Sequence, residues 1–241
     1  MDNIENDNVY NFLNELHGTA KDYLNKYLSQ APDWLLDSIQ IVKTKKNTTF
    51  IRENEKVDFV YILAEGIVKA IDYRFLGNSY DYMWFYPVKT FGGMEILLEL
   101  DHFQTTLSTM TSCKMLVIPK NIFEKWMKSD INALSMEVKT MGSFLLEEVK
   151  RERVFLFIQG SDRVIYILTH LYEQTAIDNV CIIKVTHQDL ADSTGLSIKT
   201  INRSLKKLEE EAYISRSGNK IIIKETQYKK MKEIVDQNHG N

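Results

Sequence analysis

The sequence predicts an α+β fold: a roll of short β-strands, a long helix behind it, and a C-terminal unit of short helices closed by a β-hairpin. Three observations predict it. Between Ile39 and Pro119, short runs rich in β-branched and aromatic residues alternate with turn residues, the texture of a small barrel or roll. From Asn121 helix formers take over and continue to about Phe157. From Thr186 to Lys224 a short helix, a glycine turn, a second helix and a hairpin follow in that order.

Residues 1–33 are polar with one mixed helical stretch, Val9 to Leu28, whose apolar side is Phe12, Leu13, Leu16, Tyr23, Leu24, Tyr27 and Leu28; Pro32 stops it. Strands are expected at Ile39–Val42, Thr48–Ile51, Phe59–Leu63, Gly66–Tyr73, Tyr80–Tyr86, Phe103–Met110 and Lys114–Ile118. Turn signals fall at Glu65-Gly66, Gly77-Asn78 and Gly92-Gly93. Phe123, Trp126 and Met127 mark a short helix, and Ser129 or Asp130 caps the long one. In that helix Leu134, Val138, Met141, Leu145 and Val149 step by four, three, four and four, close to a heptad seam with a slip at the end. This reads as a dimerisation helix; the plainer reading is a helix packed on its own β-domain. Gly160 breaks the helix, and Ser161 or Asp162 caps the next, which carries Val164, Ile167, Leu168 and Leu171. Cys181–Val185 is a short strand. The domain boundaries follow: 1–128 for the N-terminal helix and roll, 129–159 for the long helix, 160–241 for the C-terminal domain.

The segment Thr186–Leu208 is the most specific. Leu190 and Ala191 give its first helix an apolar side, Gly195 suits a sharp turn, and Ser197 is a cap for the second helix. Ile201, Leu205 and Leu208 fall at i, i+4 and i+7 and bury one face, leaving Lys199, Thr200, Arg203, Lys206 and Lys207 largely free. A free basic face of this kind suits phosphates and base edges in a DNA major groove. The plainer reading is an amphipathic hairpin with a solvated basic side. Ala212–Arg216 and Ile221–Lys224 flank Ser217-Gly218-Asn219-Lys220 and make a hairpin, or wing, with Arg216 and Lys220 at its tip.

Composition bounds these readings. The 241 residues suffice for one or two domains, and 44% hydrophobic with 26% charged residues is ordinary globular material. The net charge of −3 is unevenly spread: residues 160–241 hold 12 Lys and Arg against 11 Asp and Glu, net +1, so a DNA face must be a local patch. Cys113 and Cys181 lie far apart and form no metal or disulfide pattern. No leader-like segment and no long apolar run is present, so a cytoplasmic protein without membrane contact is expected. An enzyme is not expected: His17, His102, His170, His187 and His239 sit in no triad or metal-ligand spacing, and Gly92-Gly93 is too little for a phosphate loop. Neither a metal nor a cofactor is expected.

Roll, long helix, hinge, then winged helix-turn-helix resembles the order in the cyclic-AMP receptor/fumarate-nitrate regulator (Crp–Fnr) family. Asp58–Lys69 resembles that family's roll hairpin, Phe91-Gly92-Gly93 the start of its ligand cassette, Thr111–Ile118 the strand that closes the roll, and Thr186–Tyr213 its helix-turn-helix. The likeness covers about residues 35 to 225. It implies a cyclic-nucleotide-binding-like β-roll (jelly-roll), a homodimer on an inverted-repeat operator in double-stranded DNA, and RNA polymerase as partner if the protein activates. It also implies a small effector that binds in the roll against the long helix and re-aims the DNA helices. By the same resemblance Thr186, His187 and Gln188 contact phosphates, Ser197, Ile198, Lys199, Thr200 and Arg203 face bases, and Arg203 sits at a guanine-reading position. Lys206 and Lys220 complete the DNA set. Near the place where well-known members keep a glutamate stands Lys199, so the half-site should be altered.

The departures concern the effector. Where cyclic-nucleotide binders keep a phosphate-clamping arginine and serine, this chain has Phe103 and Gln104, and no Arg or Lys lies between Lys89 and Lys114. Glu147, Glu148 and Val149 stand where cyclic-AMP receptors place hydroxyls. Both features argue against cyclic AMP, since a buried phosphate would lack its counter-charge. The cysteines of iron–sulfur members are absent, and His102 alone is a weak case for haem. Tyr80, Tyr82, Trp84 and Tyr86 are expected on one face of a strand, as a pocket for an aromatic or apolar effector or as core and dimer packing. The effector set is Tyr82, Trp84, Tyr86, Gln104 and Glu148. The alternative is an effector-independent regulator whose roll only stiffens the dimer.

Overall fold

The computed structural model describes residues 2–3, 9–75, 78–158, 160–218 and 220–238, with the backbone alone for 2–3, 73–75, 78–82 and 238. The chain divides into two compact units, Met1–Leu146 and Glu147–Asn241.

In the first unit a short strand β1 (Asp2–Asn3) precedes helices α1 (Val9–Glu15), α2 (Gly18–Tyr27) and α3 (Asp33–Leu36). Strands β2 (Gln40–Thr44), β3 (Thr49–Ile51), β4 (Phe59–Glu65), β5 (Val68–Phe75), β6 (Asn78–Phe85) and β7 (Lys89–Phe91) follow. Then come α4 (Gly93–Leu97), β8 (Thr106–Thr109), β9 (Cys113–Pro119), α5 (Lys120–Ser129) and α6 (Ile131–Phe157), the last continuing into the second unit. The strands form two antiparallel sheets, ordered β1-β2-β9-β4-β7 and β3-β8-β5-β6. Ile62, Leu63 and Ala64 are consecutive and all buried. Such a run needs cover on both faces of the sheet, and α2 and α5 pack against β4.

The N-terminal stretch predicted as one helix is two. His17 is extended between α1 and α2, and Gly18 next to it was the readable signal. Both helices belong to the core: Phe12, Leu16, Leu24 and Tyr27 are buried with Phe123 and Trp126. The cassette elements β7 and α4 were not predicted; three and five residues are too short to show a period.

The aromatic strand departs from strict alternation. Ala70 pairs with Met83 but Ile71 with Asp81, so Tyr82 is the extra residue of a bulge. Val68 and Ala70, both fully buried, lie opposite Phe85 and Met83, and Trp84 pairs with Lys69 on the other side. The bulge resets the alternation of the strand between Asp81 and Met83; whether Tyr80 and Tyr82 share a face with Trp84 and Tyr86 lies outside the described residues.

The start of α6 is capped by Asp130, whose Oδ1 accepts from the amides of Asn132 and Ala133, both at 3.0 Å. Its inner face, Ala133, Glu137 and Phe144, packs on the roll core. Glu137 is 1% exposed. It accepts hydrogen bonds from the Tyr27 hydroxyl at 2.8 Å and the Thr90 hydroxyl at 3.0 Å, which ties α6 to α2 and β7.

The second unit comprises the end of α6, α7 (Ser161–Thr175), β10 (Val180–Ile183), α8 (His187–Thr194), α9 (Ile198–Glu210), β11 (Ser215–Ser217), β12 (Lys220–Lys224) and α10 (Glu225–Asn238). Its sheet is ordered β10-β12-β11, antiparallel throughout. Neither Ser161 nor Asp162 caps α7; Gly160 holds the cap position without a side chain, at φ +55° and ψ −126°. Helix α10 was not predicted, although Tyr228, Met231 and Val235 have helical spacing. It braces α7: Tyr228 stacks on Tyr172 with centroids 4.3 Å apart, and Lys232 meets Glu173 at 2.7 Å.

Candidate nucleic-acid interface

The two helices of the predicted motif are built by their caps. Thr186 and Asp189 form a reciprocal capping box at the start of α8: the Asp189 amide donates to Thr186 Oγ1 at 3.0 Å and the Thr186 amide to Asp189 Oδ2 at 2.7 Å. Gly195 ends α8 at φ +67°, a left-handed turn that side chains with a Cβ rarely adopt. Ser197 Oγ then accepts from the Thr200 amide at 3.2 Å and opens α9. Ile201, Ser204, Leu205 and Leu208 are buried, which anchors α9 on α7 and α8.

That anchoring leaves Ile198, Lys199, Asn202, Arg203, Lys206 and Lys207 exposed and Thr200 half-buried. Lys206 and Lys207 reach Glu210 and Glu211 at 3.8 Å, and such exposed pairs contribute little. Among the described residues Lys199 and Arg203 have no carboxylate partner. His187 and Gln188 are exposed in the first turn of α8, where the backbone amides lack intrahelical acceptors. On the wing, Lys220 is exposed. Arg216 has its guanidinium bound to Glu209 at the end of α9, with Nε 2.7 Å from the carboxylate. The hydrogen bonds from Arg216 hold the Glu209 carboxyl below the usual carboxylate range. The pair pins the wing to the second helix, a contact no periodicity could reveal.

The five dimerisation residues fall into two groups. Val138, Leu145 and Val149 are exposed, whereas Met141 is half-buried and Leu134 packs on its own roll. Ile131 and Leu156, not chosen from the sequence, extend the exposed set. Ile131, Val138, Leu145, Val149 and Leu156 step by seven, seven, four and seven, one row along α6 on the side away from Ala133 and Glu137.

The effector set is divided between the units. Trp84, Tyr86 and Gln104 are in the first, Glu148 in the second. Phe103 is buried in the core, while Gln104 is exposed and donates to the His102 carbonyl at 2.7 Å. The Trp84 indole nitrogen is buried without a hydrogen-bond partner among the described residues. Glu148 meets Arg151 at 2.5 Å. Among the described residues no three His, Cys, Asp or Glu side chains gather as a metal site, and no helix is long and apolar enough to cross a membrane.

Residues 41–130 match the profile described as cyclic nucleotide-binding domain, and residues 162–228 the one described as Crp-like helix-turn-helix domain. The chain belongs to the Crp–Fnr family. Among Crp–Fnr relatives, the cAMP-activated global transcriptional regulator CRP of Salmonella typhimurium is 24% identical over 197 residues, 79% of this chain and 92% of that one. The protein of the same name from Haemophilus influenzae is 21% identical over 195 residues, 79% and 87% of the two chains. The fold is shared with a CRP-family transcriptional regulator of Thermus thermophilus at 17% identity and TM-score 0.65, covering 79% and 95% of the chains. It is shared also with the c-di-GMP responsive global regulator CLP of Xanthomonas campestris at 19% identity and TM-score 0.64, covering 78% and 95%. The protein is a Crp-like DNA-binding transcription regulator, and the family is one of regulators rather than enzymes.

Proposed function

We propose that the protein is a cytoplasmic homodimer joined through α6. It regulates transcription by reading an inverted-repeat operator, under control of a small effector other than cyclic AMP or an iron–sulfur cluster. The observation that carries this reading is the exposed apolar row Ile131, Val138, Leu145, Val149 and Leu156. Burying one such side chain fully is worth roughly 1.5–3 kcal/mol, and a second copy of the same helix is self-complementary to the row under two-fold symmetry. Two α9 helices related by that axis meet two half-sites about one helical turn apart.

In this reading the amides of His187 and Gln188 meet a phosphate, with Thr186 and Ser197 setting the helix starts. Arg203 reads guanine with its planar fork, and Lys199 and Thr200 face neighbouring edges. Ile198, 44% exposed at the first position of α9, matches the methyl group of thymine. Lys206 and Lys220 meet the backbone. RNA polymerase is the further partner if the protein activates.

Tyr82, Trp84, Tyr86, Gln104 and Glu148 are assigned to the effector. Burial of Phe103 and the outward turn of Gln104 leave no cation for a cyclic phosphate at that place, and the unpartnered Trp84 indole favours a ligand with an acceptor atom. Thermal melts test this against an effector-independent protein. Preferential binding raises the melting temperature, so an aromatic acid should raise it and cyclic AMP should not; a shift with cyclic AMP overturns the effector assignment. Sedimentation equilibrium tests the dimer, and a monomer at micromolar concentration overturns it.

A further inference from the structure

Arg163 joins two helix ends that no other side chain connects by hydrogen bonds among the described residues. Its Nε donates to the Ile158 carbonyl at 3.1 Å and one terminal nitrogen to the Phe155 carbonyl at 2.9 Å, both at the end of α6. The other terminal nitrogen donates to the Thr194 carbonyl at 3.2 Å, at the end of α8. The guanidinium carbon lies 5.2 Å from the Phe155 ring centroid, within reach of its π face. A Cβ built on Gly195 would sit 3.7 Å from Arg163, so the guanidinium lies against the turn between α8 and α9.

The chemistry of each partner explains the arrangement. The last carbonyls of a helix have no intrahelical donors and carry its negative pole. Arg163 stands in the first turn of α7, where a cation is ordinarily unfavourable. It is directed instead at the negative poles of two other helices. The sharp reversal at Gly160, φ +55° and ψ −126°, brings the first turn of α7 back beside the end of α6. Three carbonyls in three directions require the planar five-donor fork of arginine; a lysine ammonium on its flexible stem does not reproduce that geometry.

We propose that Arg163 is a positioning residue for DNA recognition: by fastening the turn before α9 to the end of α6, it fixes the direction of α9 against the long helix. The consequence rests on the reading that α6 joins two copies. With the dimer axis along α6, the angle held by Arg163 sets the separation of the two α9 helices and hence the spacing between half-sites. Arg163 itself touches no base.

The test compares unchanged protein, Arg163→Ala and Arg163→Lys. In selection from random duplex DNA, the unchanged protein should enrich one half-site spacing. Both variants should enrich the same half-site bases at a spread of spacings, with the ratio of specific to non-specific affinity reduced tenfold or more. Guanidinium chloride should restore the single spacing to the Ala variant, where sodium chloride at equal concentration does not. A single unchanged spacing with full affinity in both variants overturns the proposal. Hydrogen exchange on the free proteins keeps the proposal testable if the unchanged protein selects no repeat, a result that would count against the dimer reading alone. Exchange should rise together at residues 155–162 and 192–196 in the variants, while α10 and its contacts on α7 stay protected. Unchanged exchange at 192–196 overturns the latch, and if the Ala variant does not fold, the Lys variant decides both measurements.

Discussion

Arg203 and Lys199 are the cations of α9 whose charge no carboxylate of the described chain offsets, while Lys206 and Lys207 face glutamates one turn on. Arg203→Ala should cost about 1–3 kcal/mol in operator binding and relax one base position; an equal loss on every sequence, measured by competition binding, would make Arg203 a phosphate contact instead. Ile198 makes a chemically narrower prediction. Replacing one operator thymine by deoxyuridine removes a single methyl group and should weaken the unchanged protein several-fold, on the order of 1 kcal/mol. Ile198→Ala should be weaker on thymine DNA and indifferent to that exchange. A third residue-scale prediction concerns Glu137. Burial raises its carboxyl above the usual carboxylate range, opposed by the hydroxyls of Tyr27 and Thr90 and by Lys89. The folded protein thus holds this proton more tightly than the unfolded chain. The resulting stabilisation is complete below the unfolded value and is lost as pH rises through the folded one. Relative to Glu137→Gln, the unchanged protein should lose stability with rising pH across that window in urea titrations; a constant difference would contradict the assignment.

At the scale of elements, what the sequence disclosed depended on whether an element's signal was local. The helices α8 and α9 were legible because the Ser197 cap, the glycine turn and the apolar stripe are all written within Thr186–Leu208. The capping box of Thr186 with Asp189 was not predicted, although its Thr-x-x-Asp spacing is local too. Six of the seven strands expected in the roll lie within two residues of their observed ends, since composition and turns mark them; Phe103–Met110 starts three residues early, and the short β1 and β7 were missed. The bulge at Tyr82 was not legible, because register is set by the partner strand β5 and by no residue of β6 alone. The Arg216–Glu209 and Arg163 contacts were hidden for the same reason: each links residues whose proximity exists only after folding. The long helix lies between these cases. Its apolar spacing was visible, but which residues face the roll and which face outward required the core. Leu134 went inward, and Ile131 and Leu156 joined the outer row. Leu145, 63% exposed, therefore separates dimerisation from folding. Leu145→Glu should yield a folded monomer with an unchanged circular dichroism spectrum; a persistent dimer by light scattering would remove the row from the interface.

For the whole molecule, the division at Leu146 and Glu147 falls within α6, so one continuous helix belongs to both the roll and the DNA-binding unit. A net charge of −3 leaves DNA attraction to the local set of α8, α9 and the wing. Affinity should accordingly fall with salt at a slope near −0.9 for each phosphate neutralised. In the proposed dimer two copies, joined through α6, present two α9 helices to one operator. Selection from random duplex DNA with the purified full chain tests this most directly. The expected result is an inverted repeat with half-sites about 10 bp apart centre to centre, lost in Leu145→Glu. Enrichment of a lone half-site or a direct repeat, by a protein shown to be folded, would contradict it.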